Sequence, residues 1–180
     1  MKKIKGFLLL SLLCLFTFCS SNVKDQIDIV KIQHRKYLTL DCIESFWGYD
    51  ISKRGNMFVF CDKYHRILTH FRRDKLFIDT VIMDNRQFDS FINLRNYNII
   101  ELNRIARCFQ SMDAISLRGF NVNNIRILEI YVNDFIVMYY IPEIKTSDKR
   151  LKISIKQKTI KIDENWYYII KKNKYSPTIW

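Results

Sequence analysis

Cys61, His65 and His70 are the residues of this chain whose types and spacing most directly invite chemistry. A thiol and two imidazoles in a C-x3-H-x4-H pattern are donors that zinc accepts, and a thiol beside a histidine base is also the pair from which a covalent nucleophile is built. Neither chemistry is completed. The spacing matches no standard zinc motif and no fourth donor follows nearby, while a nucleophile would need a third group to orient the base. The segment reads as a hairpin with His65 in the turn and His70 on the returning strand. No metal, cofactor or catalytic residue is assigned, and an enzyme reading rests on Cys61 and the histidines alone. The chain contains no G-x-S-x-G, H-E-x-x-H, Walker loop or G-x-G-x-x-G, and its four glycines leave little material for a phosphate-cradling loop.

Binding chemistry has more to work with. The stretches "ESFWGYD" and "ENWYYII" place Trp47 and Trp166 among other aromatics and beside acids, a combination that stacks on sugar rings or anchors a protein partner when it is not simply packed. Lys152, Lys156 and Lys161 lie in a lysine-rich segment after Pro142 that holds ten Lys and Arg against four acids. Read as a strand, "LKISIKQ" puts Leu151, Ile153 and Ile155 on one side and Lys152 and Lys156 on the other, a basic sheet face suited to an acidic glycan or a phosphate-bearing ligand.

The first residues say where such binding would take place. Lys2, Lys3 and Lys5 precede an apolar run, "GFLLLSLLCLFTF", that is shorter than the roughly 20 residues a spanning helix takes, so residues 1–18 read as a signal peptide. The run ends at "CSSN". This N-terminus resembles a bacterial lipoprotein signal, in which the cysteine, here Cys19, is lipidated and becomes the first residue; Phe16 and Phe18 stand where that family prefers Leu and a small residue. Ser20, in the position where Asp favours inner-membrane retention, implies the outer membrane of a Gram-negative envelope. Competing readings are modification of Cys14, ordinary cleavage after Ser21 giving a secreted or periplasmic soluble protein, and an uncut anchor. The resemblance covers about 22 residues and names no family for the rest. The partners expected are therefore the membrane, through a lipid at Cys19, and an envelope protein or an anionic ligand.

The net charge of +12, to which the three signal lysines contribute, favours anionic partners. Nucleic acid is not expected for an exported chain. Of five cysteines, Cys42, Cys61 and Cys108 remain after Cys14 and Cys19 are set aside, an odd number in an oxidising compartment. Cys108 falls on an apolar helix face and reads as a small buried hydrophobe, so Cys42 with Cys61 is the one pair to test as a disulfide, against a free thiol, an intermolecular bridge or no pairing.

The elements that must position these residues follow from periodicity. A tether spans 19–25, a single α+β domain spans 26–180, and no linker or repeat divides it. Residues 25–40 lean helical, and "YDISKRGN" reads as a turn-rich loop and functional rim. Residues 57–83 read as a meander of three strands with short polar turns. A helix is expected over 85–96 and another over 99–117 stopped by Gly119, with Ile99, Leu102, Ile105, Ala106, Phe109 and Met112 at helical spacing. Then come a hairpin turning at Asn133-Asp134, with a second strand apolar on both faces, the basic strand, and a final hairpin through "DEN". The expected fold is α+β, a mostly antiparallel sheet of about six to eight strands with two consecutive helices packed on one face.

Overall fold

Alternating apolar residues with short polar turns between them leave the chain few options other than a meander, and it forms two. The computed structural model describes residues 23–61, 65–73, 75–83, 98–142, 144 and 149–173. Helix α1 (23–38) leads into a 3-10 turn, Ile43–Phe46, followed by β1 (Asp50–Arg54), β2 (Met57–Cys61), β3 (His65–Arg72) and β4 (Lys75–Met83). Helix α2 (Ile99–Ser111) then precedes β5 (Ser116–Val122), β6 (Ile125–Tyr131) and β7 (Ile136–Tyr140), and α3 (Lys149–Lys158) precedes β8 (Ile160–Lys161) and β9 (Trp166–Ile170). Among the described residues nine strands form one sheet in the order β4-β3-β2-β1-β5-β6-β7-β9-β8, and each of their pairings is antiparallel. The architecture is the expected α+β class with an antiparallel sheet, larger by a strand than the upper expectation. The β1–β5 pairing joins the two meanders.

Register sorts the side chains into two buried clusters, because directly opposed residues share a face. Val30 and Tyr37 of α1 and Leu102, Ile105, Ala106 and Phe109 of α2 belong to one cluster with Phe58, Phe60, Leu128 and Met138 of the sheet. Leu151 and Ile155 of α3 belong to the other, with Ile127, Val137, Tyr139 and Tyr167. β7 contributes to both clusters and lies between β6 and β9, as a strand apolar on both alternating sides must.

Four segments differ from expectation. Residues 149–158 form helix α3 rather than a basic strand. Leu151 and Ile155, four apart, are buried, whereas Ile153, which a strand would bury beside them, is 44% exposed; the helix covers an apolar sheet face that would otherwise meet water. Helix α2 ends at Ser111, short of 117: Asp113 takes a left-handed φ of 54° that stops it, and the residues beyond, Gly119 included, become β5. Asn98 caps the other end, its Oδ1 accepting from the backbone N–H groups of Ile100 and Glu101. Of the stretch read as a loop, 49–56, Asp50–Arg54 is β1, paired along its whole length with β2, and Gly55 and Asn56 form the turn between them. α1 includes residues 23–25, which the sequence reading placed in the tether. The signal segment with Cys14 and Cys19, and the helix expected over 85–96, lie outside the described residues.

Candidate functional site

The segment from Cys42 to Tyr49 is held at several points. Cys42 is bonded to Cys108 of α2 with Cα atoms 6.3 Å apart, and Cys61 is free, so the expected Cys42–Cys61 pair is corrected. The cause is tertiary: the 3-10 turn packs against α2, bringing Cys42 within disulfide range of Cys108, while Cys61 ends β2 opposite Asp50 and Arg66. Further along, the Gly119 N–H donates to the Tyr49 carbonyl at 3.0 Å. A Cβ at Gly119 would stand 2.6 Å from the Phe46 carbonyl oxygen, so only glycine allows this approach of β5 to the segment.

Held in this way, Glu44 becomes the centre of a polar constellation. Its Oε2 accepts from Trp47 Nε1 at 2.7 Å and from an Arg126 guanidinium nitrogen at 3.3 Å, and its Oε1 accepts from the Tyr140 hydroxyl at 3.2 Å. Burial, then the Glu44 charge and hydrogen bond, raise the Tyr140 phenol above its ordinary range, with Arg126 acting the other way. The Trp47 ring stacks with Tyr140 at 6.3 Å and lies 5.3 Å from the Arg126 guanidinium. Tyr140 in turn lies 5.0 Å from Trp166, and Trp166 lies 5.7 Å from both Tyr37 and His34. The two tryptophans singled out from sequence are thus joined through Tyr140, which is opposite Trp166 in the β7–β9 register.

Beside this ladder is a cleft of about 170 Å³ lined by Tyr37, Leu38, Leu40, Asp41, Glu44 and Trp166, among others. The volume is below that of drug-sized pockets and suits one ring or one side chain. Trp166 is 3% exposed and contributes a wall. Trp47, half-buried and set between Tyr140 and Arg126, braces Glu44 from outside the cleft. Sequence reading missed Glu44, Arg126 and Tyr140; no local spacing links them, since the hydrogen bonds that join Arg126 and Tyr140 to Glu44 span 82 and 96 residues. His34 Nε2 lies 2.7 Å from Asp163 Oδ2, while Asp163 Oδ1 accepts from the N–H groups of Asn165 and Trp166. The pair ties α1 to the β8–β9 turn.

The remaining expected site residues lie elsewhere. Lys152 and Lys156 sit one turn apart on α3, and Lys161 is on β8. The lysines are therefore carried by a helix and an edge strand rather than by one sheet face, and α3 packs in a cluster separate from that of Trp166. Met57 opposes His70 and Cys61 opposes Arg66, which separates Cys61 from His70 by four residue steps, roughly 13 Å. His70 Nδ1 instead meets Asp79 at 2.7 Å and its ring stacks with Phe77. Among the described residues no group of three or more His, Cys, Asp or Glu could hold a metal ion, and no helix is long and apolar enough to cross a membrane. Comparison with protein-family models, with curated proteins and with solved structures returned no match.

Proposed function

We propose that this chain is a lipid-anchored, non-enzymatic interaction module of a Gram-negative cell envelope, tethered through Cys19, with the cleft beside Glu44, Tyr140 and Trp166 as its working surface. The observation that supports export is the Cys42–Cys108 disulfide, whose half-cystines are 66 residues apart; such bonds persist in oxidising compartments and are rare in the cytosol of mesophiles. The lipoprotein-like "LFTFCSSN" supplies the anchor, and two or more acyl chains hold a protein on its membrane without a spanning helix. The intact mass of the mature protein from native membranes tests the reading. A chain beginning at acylated Cys19 agrees with it, while one beginning at Asn22 or retaining Met1 overturns it.

A second reading, an exported binding protein for an acidic glycan or phosphate-bearing ligand, draws on Lys152 and Lys156 lying one turn apart on α3, with Lys156 and Lys161 exposed. Reversing the charge of all three lysines would abolish that binding, and a binding screen unchanged by the reversal would refute it.

A further inference from the structure

The sheet face that carries α3 holds a second site, independent of the cleft and of how the chain is anchored. Register sets Cys61, Asp50, Arg118, Glu129 and Tyr139 in one row across five strands. Ser52, Ser116 and Tyr131 form the adjacent row on the same face. Tyr139 belongs to the cluster under α3, whereas over β1 and β5 the face opens as a groove of about 300 Å³ lined by Asp50, Ser52, Cys61, Ser116, Arg118 and Tyr131.

Beside this groove, one strand beyond Arg118, stands Glu129, 0% exposed. Its Oε2 accepts from the Tyr131 hydroxyl at 3.0 Å, and its Oε1 has no hydrogen-bond partner among the described residues. A carboxylate this buried and only half satisfied is costly, and it adds to the negative potential of Asp50 in a chain whose net charge is +12. Arg118 offsets part of it, with Nε 3.8 Å from Asp50 Oδ2 and its guanidinium 5.1 Å from the Phe120 ring. Burial, with the Glu129 charge adding to it and Arg118 opposing it, still raises the Asp50 carboxyl above its ordinary range. A small cation beside Asp50 would relieve this. A hydroxyl that donates to Glu129 turns its oxygen into an acceptor.

We propose that this groove binds a primary ammonium group, contacted by the Asp50 carboxylate and the hydroxyl oxygens of Ser52, Ser116 and Tyr131. Glu129 is a positioning residue that acts through Tyr131. The ammonium can come from a free polyamine or from a lysine side chain, and two probes separate these sources. Cys61 lines the groove as a free thiol and reports occupancy.

The experiment follows the rate at which a thiol reagent modifies Cys61 in the mature chain, with spermidine, with Nα-acetyl-lysine amide and with its neutral norleucine counterpart. One or both cations slow modification in a saturable way and the norleucine compound does not; spermidine alone acting identifies a polyamine, the lysine amide alone a side chain. Asp50→Asn weakens the protection about tenfold or more, the scale of a hydrogen bond to a charged group. Glu129→Gln and Tyr131→Phe each weaken it and do so non-additively when combined, a coupling that a merely structural Glu129 would not produce. If Glu129→Gln fails to fold, Asp50→Asn and Tyr131→Phe decide the matter. Absence of protection at millimolar concentrations, equal protection by the norleucine compound, or undiminished binding to Asp50→Asn overturns the proposal.

Discussion

Replacing both half-cystines of the Cys42–Cys108 bond with alanine will destabilise the fold, by an amount set mainly by the loop the bond closes. Alanine is the appropriate replacement because the two residues are 7% and 6% exposed, where a serine hydroxyl would be buried as well. The sequence separation of 66 enters the chain-entropy relation logarithmically and gives about 4 kcal/mol at 25 °C. With a urea dependence near 2 kcal/mol per molar for a domain of this size, the midpoint falls by about 2 M; in a thermal melt the same loss is about 8–16 °C. The loss has a local signature too. Cys42 accepts from both the N–H and the hydroxyl of Ser45, so loosening it frees the turn that carries Glu44 and Trp47, and the tryptophan emission of the still-folded variant shifts to the red. Urea titration of the oxidised wild type and the double variant, followed by fluorescence and circular dichroism, measures both effects. A midpoint unchanged within error, or peptide mapping that links Cys42 to Cys61, refutes the reasoning.

Gly119→Ala places a Cβ against the Phe46 carbonyl and is expected to cost about 1–3 kcal/mol; an unchanged melting temperature would show that the 42–49 segment moves aside freely. Glu44→Gln removes the charge that helps hold Tyr140 protonated, so the Tyr140 phenol, followed by absorbance against a Tyr140→Phe control, ionises at lower pH while remaining raised by burial. No such shift would mean that Glu44 and Tyr140 are apart in solution. Asp50 binds its proton more tightly folded than unfolded, its carboxyl being raised from an ordinary 3.8. The stability it contributes is full below that value and declines as pH rises through the raised folded pKa. Asp50→Asn removes this slope, so the variant gains on the wild type across that window and the difference levels off above it; parallel stability curves would refute the assignment.

What could be read in advance depended on whether a residue's local pattern was also its tertiary environment. β2, β3, β6, β7 and β9 were legible because their alternation and short turns act over a few residues. α3 was misread because Leu151 and Ile155 satisfy a two-residue and a four-residue repeat equally; Ile153 decides between them, and its exposure depends on a sheet face assembled from distant strands. α2 was extended too far because Gly119 was taken as its stop, while the left-handed Asp113 that breaks it carries no unambiguous sequence mark. The disulfide was misassigned for a related reason: Cys108 does lie on a buried helix face, but what covers that face is the turn after Cys42. Trp47 and Trp166 could be singled out by type, yet their meeting at Tyr140 is a product of strand order.

β1 carries this argument furthest. Among its five residues only Ile51 is buried, so it lacks the apolar alternation by which a strand is recognised. It is a strand because β2 and β5 supply partners on both sides, and its opposite face bears Asp50 and Ser52, which line the groove. Asp50 is exposed and Ser52 half-buried, so this face of a central strand stays open; a covered face would carry apolar residues there and would have been legible. Departure from the local rule at a central strand, with the expense of a half-satisfied carboxylate one strand beyond β5, is where function most often overrides pattern. On this reasoning, replacing Asp50 and Ser52 together with valine should stabilise the fold while removing ammonium protection of Cys61, and a loss of stability instead would assign β1's polar face to folding rather than to binding.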